Sequence, residues 1–380
     1  MRHVYLDYNA TTPVHPEVVA AMSALYREQF GNPSSIHWAG RWVKSAVEKA
    51  REKVAILLNC EPVEVVFTSC GTEADNMAIK GVAAALRGRG NHIITLQTEH
   101  PAVLNTCLYL EQQGYEITRL GVDRDGMADP GELEQSITDR TILISAMYAN
   151  HETGTLLPVK EIGEIAARRR IFFHCDAVQA VGKIPVDFRG SNIGLLALSG
   201  HKFNAPKGIG ALIVRKGVKL IPLIHGGPQE RNRRAGSENV AGIVALGTAC
   251  ELALDTMTGE SRRTAALRDM LEEGVLAAVP NVRVNGQRER RLPNTANLSF
   301  YGVEADSLLL NLDLQGIAAS AGSACSSGVL KGSPVLAAMG LEPAFARGAV
   351  RFSLGRETTE AEIDYLLRVL PGIVERLRKH

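Results

Sequence analysis

The chain has 380 residues, enough for two domains or for one large α/β domain with an appendage. Its 42 lysines and arginines nearly balance its 41 aspartates and glutamates, for a formal net charge of +1. No broad field therefore recruits nucleic acid or an anionic membrane, and recognition must be local. The opening residues MRHVYLDYNATTP lack an apolar signal core, and no stretch reaches the ~18 uncharged apolar residues of a spanning helix, so a cytoplasmic location is expected. The six cysteines (Cys60, Cys70, Cys107, Cys175, Cys250, Cys325) form no CxxC pair and no Cys/His spacing of the zinc type. Neither disulfides nor a metal are expected.

Between about residues 60 and 260, short β-branched runs alternate with helical patterns, the signature of βαβ units around a largely parallel sheet. The predicted strands are 65–69, 93–96, 141–147, 171–175, 195–198 and 211–214, several of them continuously apolar, as in a sheet covered on both faces. Predicted helices cover 72–85, 102–112, 159–169 and 239–254. Near residue 256 the rhythm changes. A helix over 260–278 stops at Pro280, and shorter strands follow at 282–285, 297–300 and 349–354. A capped amphipathic helix over 359–379 closes the chain. The expected class is α/β: a large domain, 14–256, with a mainly parallel sheet sandwiched by helices. Residues 257–380, with the N-terminal segment 1–13, are expected to make a smaller α+β domain.

Five of the predicted strand ends carry groups suited to a ligand, at the place where open α/β sheets bind them. In FTSCGTEADN, Gly71, the Thr72 hydroxyl and backbone N–H groups gather at a helix start, where a phosphate fits; a plain cap would look the same. His100 in TEHPA can stack on a ring, or be a loop histidine. Asn150 in MYANHETG offers a polar contact, or begins a turn. Asp176 in IFFHCDAVQAVG ends an apolar strand, where a carboxylate needs a partner such as a protonated pyridine nitrogen, unless it caps a helix. Gln179, three residues on, can reach that ring's phenolic oxygen. In LLALSGHKFNAPKGIG, Ser199, His201 and Lys202 follow a buried strand, and partial desolvation would favour a neutral, nucleophilic Lys202.

As a set, YLDYNATTP, GNPSSIH, GTEADN, TEH, NHETG, HCDAVQ, SGHKFNAPKG, GGPQERNRRAGSEN, GSACSSG and VRFSLGR span nearly the whole chain. The pattern resembles the fold-type I pyridoxal-phosphate (PLP) enzymes of the class V aminotransferase group, and within it the cysteine desulfurases of the NifS/IscS type. The resemblance implies that Lys202 carries PLP as a Schiff base, that Asp176 pairs with the pyridine nitrogen, and that His100 stacks on the ring. It places Asn150 and Gln179 near the ring oxygen, and Gly71, Thr72, Ser199 and His201 at the phosphate. Ser237 in RAGSEN, where relatives usually have Thr, is implied to cross to the partner subunit's phosphate, which makes the enzyme a homodimer with shared active sites. Arg351 is implied to grip the substrate carboxylate, with Asn32 nearby.

Cys325, in the small-residue stretch AASAGSACSSG, reads as an exposed, mobile position and is the expected acceptor of sulfur from L-cysteine. Lys202, Cys325 and His100 are thus the expected catalytic residues. The persulfide would pass to an acceptor protein such as an iron-sulfur scaffold; Lys331-Gly332, where relatives often have Glu-Pro, leaves the choice of partner open. Two other readings stay open on these residues: a selenocysteine lyase or another class V enzyme sharing the cofactor site, and a non-catalytic scaffold subunit.

Overall fold

A computed structural model describes residues 3–321 and 332–379. In chain order its strands are β1 (Val4–Tyr5), β2 (Val65–Thr68), β3 (His92–Leu96), β4 (Glu116–Leu120), β5 (Thr141–Ser145), β6 (Phe172–Asp176), β7 (Leu195–Ser199), β8 (Gly210–Val214), β9 (Val282–Val284), β10 (Thr295–Phe300), β11 (Ile317–Ala318) and β12 (Ala349–Ser353). β2 to β8 form one seven-stranded sheet in the order β2-β8-β7-β6-β5-β3-β4. Every neighbouring pair in it is parallel except the two made by β8, which runs against β2 and β7. The mainly parallel α/β architecture read from the sequence is borne out. Six of these strands correspond to predicted ones.

β3, β5, β7 and β8 are buried along their whole length because helices cover both faces. On one face a large core gathers Phe67, Ile94, Ile144, Phe173 and Leu196 under helices Trp38–Leu58 and Val159–Arg169. On the other, Val66, Ile93, Leu195 and Leu212 pack under Gly71–Leu86 and Pro101–Gln112.

A separate core holds β9, β10 and β12, with Leu298, Phe300, Val350 and Phe352 against the terminal helix Glu360–Arg378. Leu6, just after β1, belongs to this core, and β1 pairs with β11. One helix, Val240–Ala278, contributes to both cores: Ile243 to Ala253 to the first, Leu267 to Val275 to the second. The sequence reading instead placed two helices here, with a change of domain near residue 256. This 39-residue helix is long and apolar enough to cross a membrane by composition, but 56% of its most apolar window is buried, where it packs on helices Pro16–Glu28 and Trp38–Leu58.

Candidate active site

The C-terminal ends of the parallel strands open on a cavity of about 280 Å³. Its lining includes Gly71 and Thr72 after β2, His100 after β3, Ala149 and His151 after β5, Asp176 and Gln179 from β6 and its turn, and Ser199, His201 and Lys202 from β7 and its turn. Residues separated by more than a hundred positions meet here because parallel crossovers bring every such end to the same edge.

At one end of the cavity, helix Gly71–Leu86 begins with its first N–H groups uncapped by any side chain: Cys70 at the cap makes no capping bond. A Cβ on Gly71 would come within 2.6 Å of Val178 Cγ2, so only glycine lets the backbone approach this wall. The Ser199 hydroxyl is buried with no hydrogen-bond partner. His201 Nδ1 lies 3.1 Å from Thr11 Oγ1, and burial, aided by Lys202, pushes its pKa down to about 4, so the ring is neutral. An uncapped helix start, an orphaned hydroxyl and a neutral imidazole suit an anion that accepts hydrogen bonds.

Asp176 is 7% exposed; its Oδ1 accepts the Val178 N–H at 2.9 Å. Burial first, and then the nearby Asp75, push its pKa up to about 6. A cation placed against it would relieve both effects. His100 caps helix Pro101–Gln112, its Nδ1 accepting the Ala102 N–H at 3.1 Å, and its ring meets that of His151 edge to face at 5.4 Å. Burial lowers its pKa, so it too is neutral. Lys202 Nζ donates to the carbonyls of Asn9 (2.7 Å) and Ala10 (2.9 Å).

The remaining expected residues stand elsewhere. Asn150 is buried but does not line the cavity: its Oδ1 accepts the Glu152 and Thr153 N–H groups at 2.9 Å, and its Nδ2 donates to Thr98 O at 3.2 Å. Arg351, on β12, donates to Asp7 Oδ1 (2.7 Å) and His151 O (2.8 Å), and its buried Nε has no partner. Asn32 lies in an exposed turn, with Oδ1 accepting the Ser34 N–H at 2.9 Å. Ser237 lines a separate hollow with Ser69, Gly208 and Arg234. Cys325 lies outside the described residues.

Sequence reasoning missed Asp75, His151 and Asn9. Asp75 is detectable in principle, since it falls one helical turn beyond Thr72 on the same face. Asn9 has no local signal, because its partners come from across the fold. Among the described residues no cluster of three His, Cys, Asp or Glu is arranged to hold a metal.

The chain belongs to the class-V aminotransferase family, whose sequence profile (Aminotransferase class-V) matches residues 4–366. It is 52% identical to the cysteine desulfurase IscS of Dictyoglomus turgidum, over 99% of this chain and 96% of that protein. It is 53% identical to the cysteine desulfurase IscS of Methanosarcina thermophila, over 99% of this chain and 93% of that one. Among solved structures, a NifS-like protein superposes with a TM-score of 0.94 at 39% identity, covering 99% of this chain and all of its own. A NifS-like protein from Rickettsia africae does so with 0.89 at 31%, covering 98% and 100%. These likenesses place the chain in the cysteine desulfurase branch of its family, as its motifs indicated.

Proposed function

We propose that the cavity binds pyridoxal 5'-phosphate and that the chain uses it to convert L-cysteine to L-alanine, leaving the sulfur as a persulfide on Cys325. One observation carries this reading: an anion-accepting end (Gly71, Thr72, Ser199, His201), a buried carboxylate (Asp176) and an amine (Lys202) line the same cavity. That combination matches a phosphate, a pyridine nitrogen and an aldehyde carried by one molecule. The cofactor supplies an electron sink for the pair left on the substrate when its Cα is deprotonated.

Lys202 would hold the cofactor through its amine and, once free of it, would carry the Cα proton. Asp176 would pair with the pyridine nitrogen and keep it protonated, and Gln179 would meet the phenolic oxygen. His100 would cover the ring; because its Nδ1 accepts the Ala102 N–H, the hydrogen of the neutral imidazole sits on Nε2, which can donate a hydrogen bond at the substrate. Arg351 would orient the substrate carboxylate: its bonds to the His151 carbonyl and Asp7 fix the guanidinium plane, and its buried Nε is left without a partner. Asn32 and Asn150 are assigned to the carboxylate and ring oxygen on family resemblance. The Cys325 thiol attacks the substrate sulfur: the S–S bond forms as the Cβ–S bond breaks, and one proton returns to Cβ to give alanine.

A homodimer is supported by the exposed apolar side chains Tyr26, Phe30, Ile36, Trp38 and Trp42. It is supported too by Ser237, whose hollow lies apart from its own chain's cavity and suits it to the partner's phosphate. Cytoplasmic action and onward transfer of the sulfur to a protein acceptor, such as an iron-sulfur scaffold, complete the reading. Mass spectrometry after incubation with L-cysteine should find one added sulfur atom on the peptide carrying Cys325. Cys325→Ala should keep the visible band of bound cofactor and lose the persulfide; an undiminished persulfide on another cysteine would overturn the assignment.

A further inference from the structure

Behind the cavity stands a second lysine that the reaction described above leaves unused. Lys183 lies four residues after Gln179, on two successive turns closed by Val181 N–H to Ala177 O (3.0 Å) and Ile184 N–H to Ala180 O (3.1 Å). These turns bring the two side chains to one face. Gly182 before it has φ +78°, and a Cβ there would meet Phe203 Cβ at 2.5 Å, so the backbone course is fixed by glycine. Lys183 Nζ donates to Gln179 Oε1 at 2.6 Å and to Asn9 Oδ1 at 3.0 Å. Gln179 Nε2 in turn donates to Asn9 O at 3.0 Å.

An amide can present either end to a neighbour, and its choice is set by the surrounding donors and acceptors. A Gln179 turned over would set its oxygen against the Asn9 carbonyl, a repulsive contact, and would take from the Lys183 amine the acceptor it now donates to. In the observed orientation Oε1 is committed to Lys183, and one Nε2 hydrogen to Asn9. The second Nε2 hydrogen is what Gln179 has to offer an acceptor in the cavity it lines.

We infer that Lys183 is a positioning residue: by donating into Gln179 Oε1 it fixes the amide so that a hydrogen, rather than an oxygen lone pair, faces the phenolic oxygen of the cofactor. The inference rests on the reading that Gln179 meets that oxygen. Burial, with Lys202 and Arg351 adding like charge, holds the Lys183 pKa well below its usual value. Glu260 and Arg356 line the adjoining hollow, and among the described residues no carboxylate pairs with Lys183. Asp176, His100, His201 and Lys202 face the cavity side.

The test uses the holoenzyme as wild type, Lys183→Met, Gln179→Leu and the double variant. The visible band of bound cofactor is titrated with pH, and cofactor content and melting temperature are measured alongside. Losing a hydrogen bond to a charged acceptor corresponds to roughly one pH unit. Lys183→Met should raise the midpoint of phenol ionisation by that much, Gln179→Leu should do the same, and the double variant should go no further than the larger single one. No shift in Lys183→Met, or a shift that persists undiminished on top of Gln179→Leu, overturns the inference, since the lysine would then act without the amide. A midpoint unmoved by Gln179→Leu instead refutes Gln179 as the partner of the phenolic oxygen. If Lys183→Met does not fold, Lys183→Arg, which keeps a donor, should hold the midpoint near wild type; a full shift there with cofactor retained counts against the inference.

Discussion

Asp75 Oδ1 and His174 Nε2 lie 3.3 Å apart, both almost wholly buried, with Asp75 on the wall of the cavity that Asp176 also lines. Burial drives the pair to its neutral state, with Asp75 pushed up to about 8 and His174 down to about 4. A protonated Asp75 can then donate to His174 Nε2, while His174 Nδ1 meets Ser145 Oγ at 2.9 Å.

The sign of the resulting pH dependence follows. Asp75 has a folded pKa above its unfolded one, so its contribution to stability is complete below the ordinary aspartate range (about pH 4), declines as pH rises from there, and is fully lost above about 8. The wild-type melting temperature should therefore fall between about pH 4 and pH 8 and level off above that. Asp75→Asn, whose amide can donate to His174 as the protonated acid does, should come closest to wild type near about pH 4 and fall less steeply above it. An identical slope in thermal melts of the two proteins would contradict the assignment. Asp75→Ala, which strands His174 Nε2, should cost about 1–3 kcal/mol.

Lys202→Gln should abolish turnover while leaving a folded chain, because the amine's partners in the fold include two exchangeable main-chain carbonyls, Asn9 and Ala10. Absorption spectra should lose the band of covalently held cofactor, and dialysis should strip the cofactor that wild type retains.

Arg351→Lys should raise KM for L-cysteine more than it lowers kcat, since an ammonium cannot hold Asp7, the His151 carbonyl and a carboxylate in one plane. Steady-state kinetics would reveal it, and an unchanged KM would remove Arg351 from substrate binding.

Arg51 and Glu230 form a two-pronged pair, both contacts 2.9 Å, with side chains only 4% and 3% exposed. Glu230 also accepts the Phe67 N–H of β2 at 3.0 Å. Arg51→Met should cost ~3–5 kcal/mol in urea unfolding, because it leaves a buried carboxylate unpaired.

The sheet was legible because its strands are buried runs of β-branched residues bounded by turns. β4 escaped because Glu116–Leu120 is an edge strand with mixed side chains, and only Leu120 in it is buried. The reading assigns no helix before residue 60, yet Pro16–Glu28 and Trp38–Leu58 are there, the second capped at its end by Asn59 in the left-handed region. The break expected near residue 256 reflects the polar run TGES. The helix passes through it unbroken, with Gly259 on an exposed face where a Cβ would meet nothing.

At the site, Lys202, Asp176, Gln179, Thr72, Ser199, His201 and His100 were recoverable because each follows a recognisable strand. Asn9 was not: its side chain meets Thr295 at 2.9 Å, Lys183 at 3.0 Å and Asn294 at 3.1 Å, contacts that exist only once both cores have closed on the N-terminal segment.

The helix Val240–Ala278 threads its apolar stripe through two interiors. To melt either interior is to uncover part of the other's packing, and to bend the rod between them is to sever consecutive main-chain bonds. The two halves are therefore yoked, and calorimetry should register one joint heat-absorption peak rather than a pair.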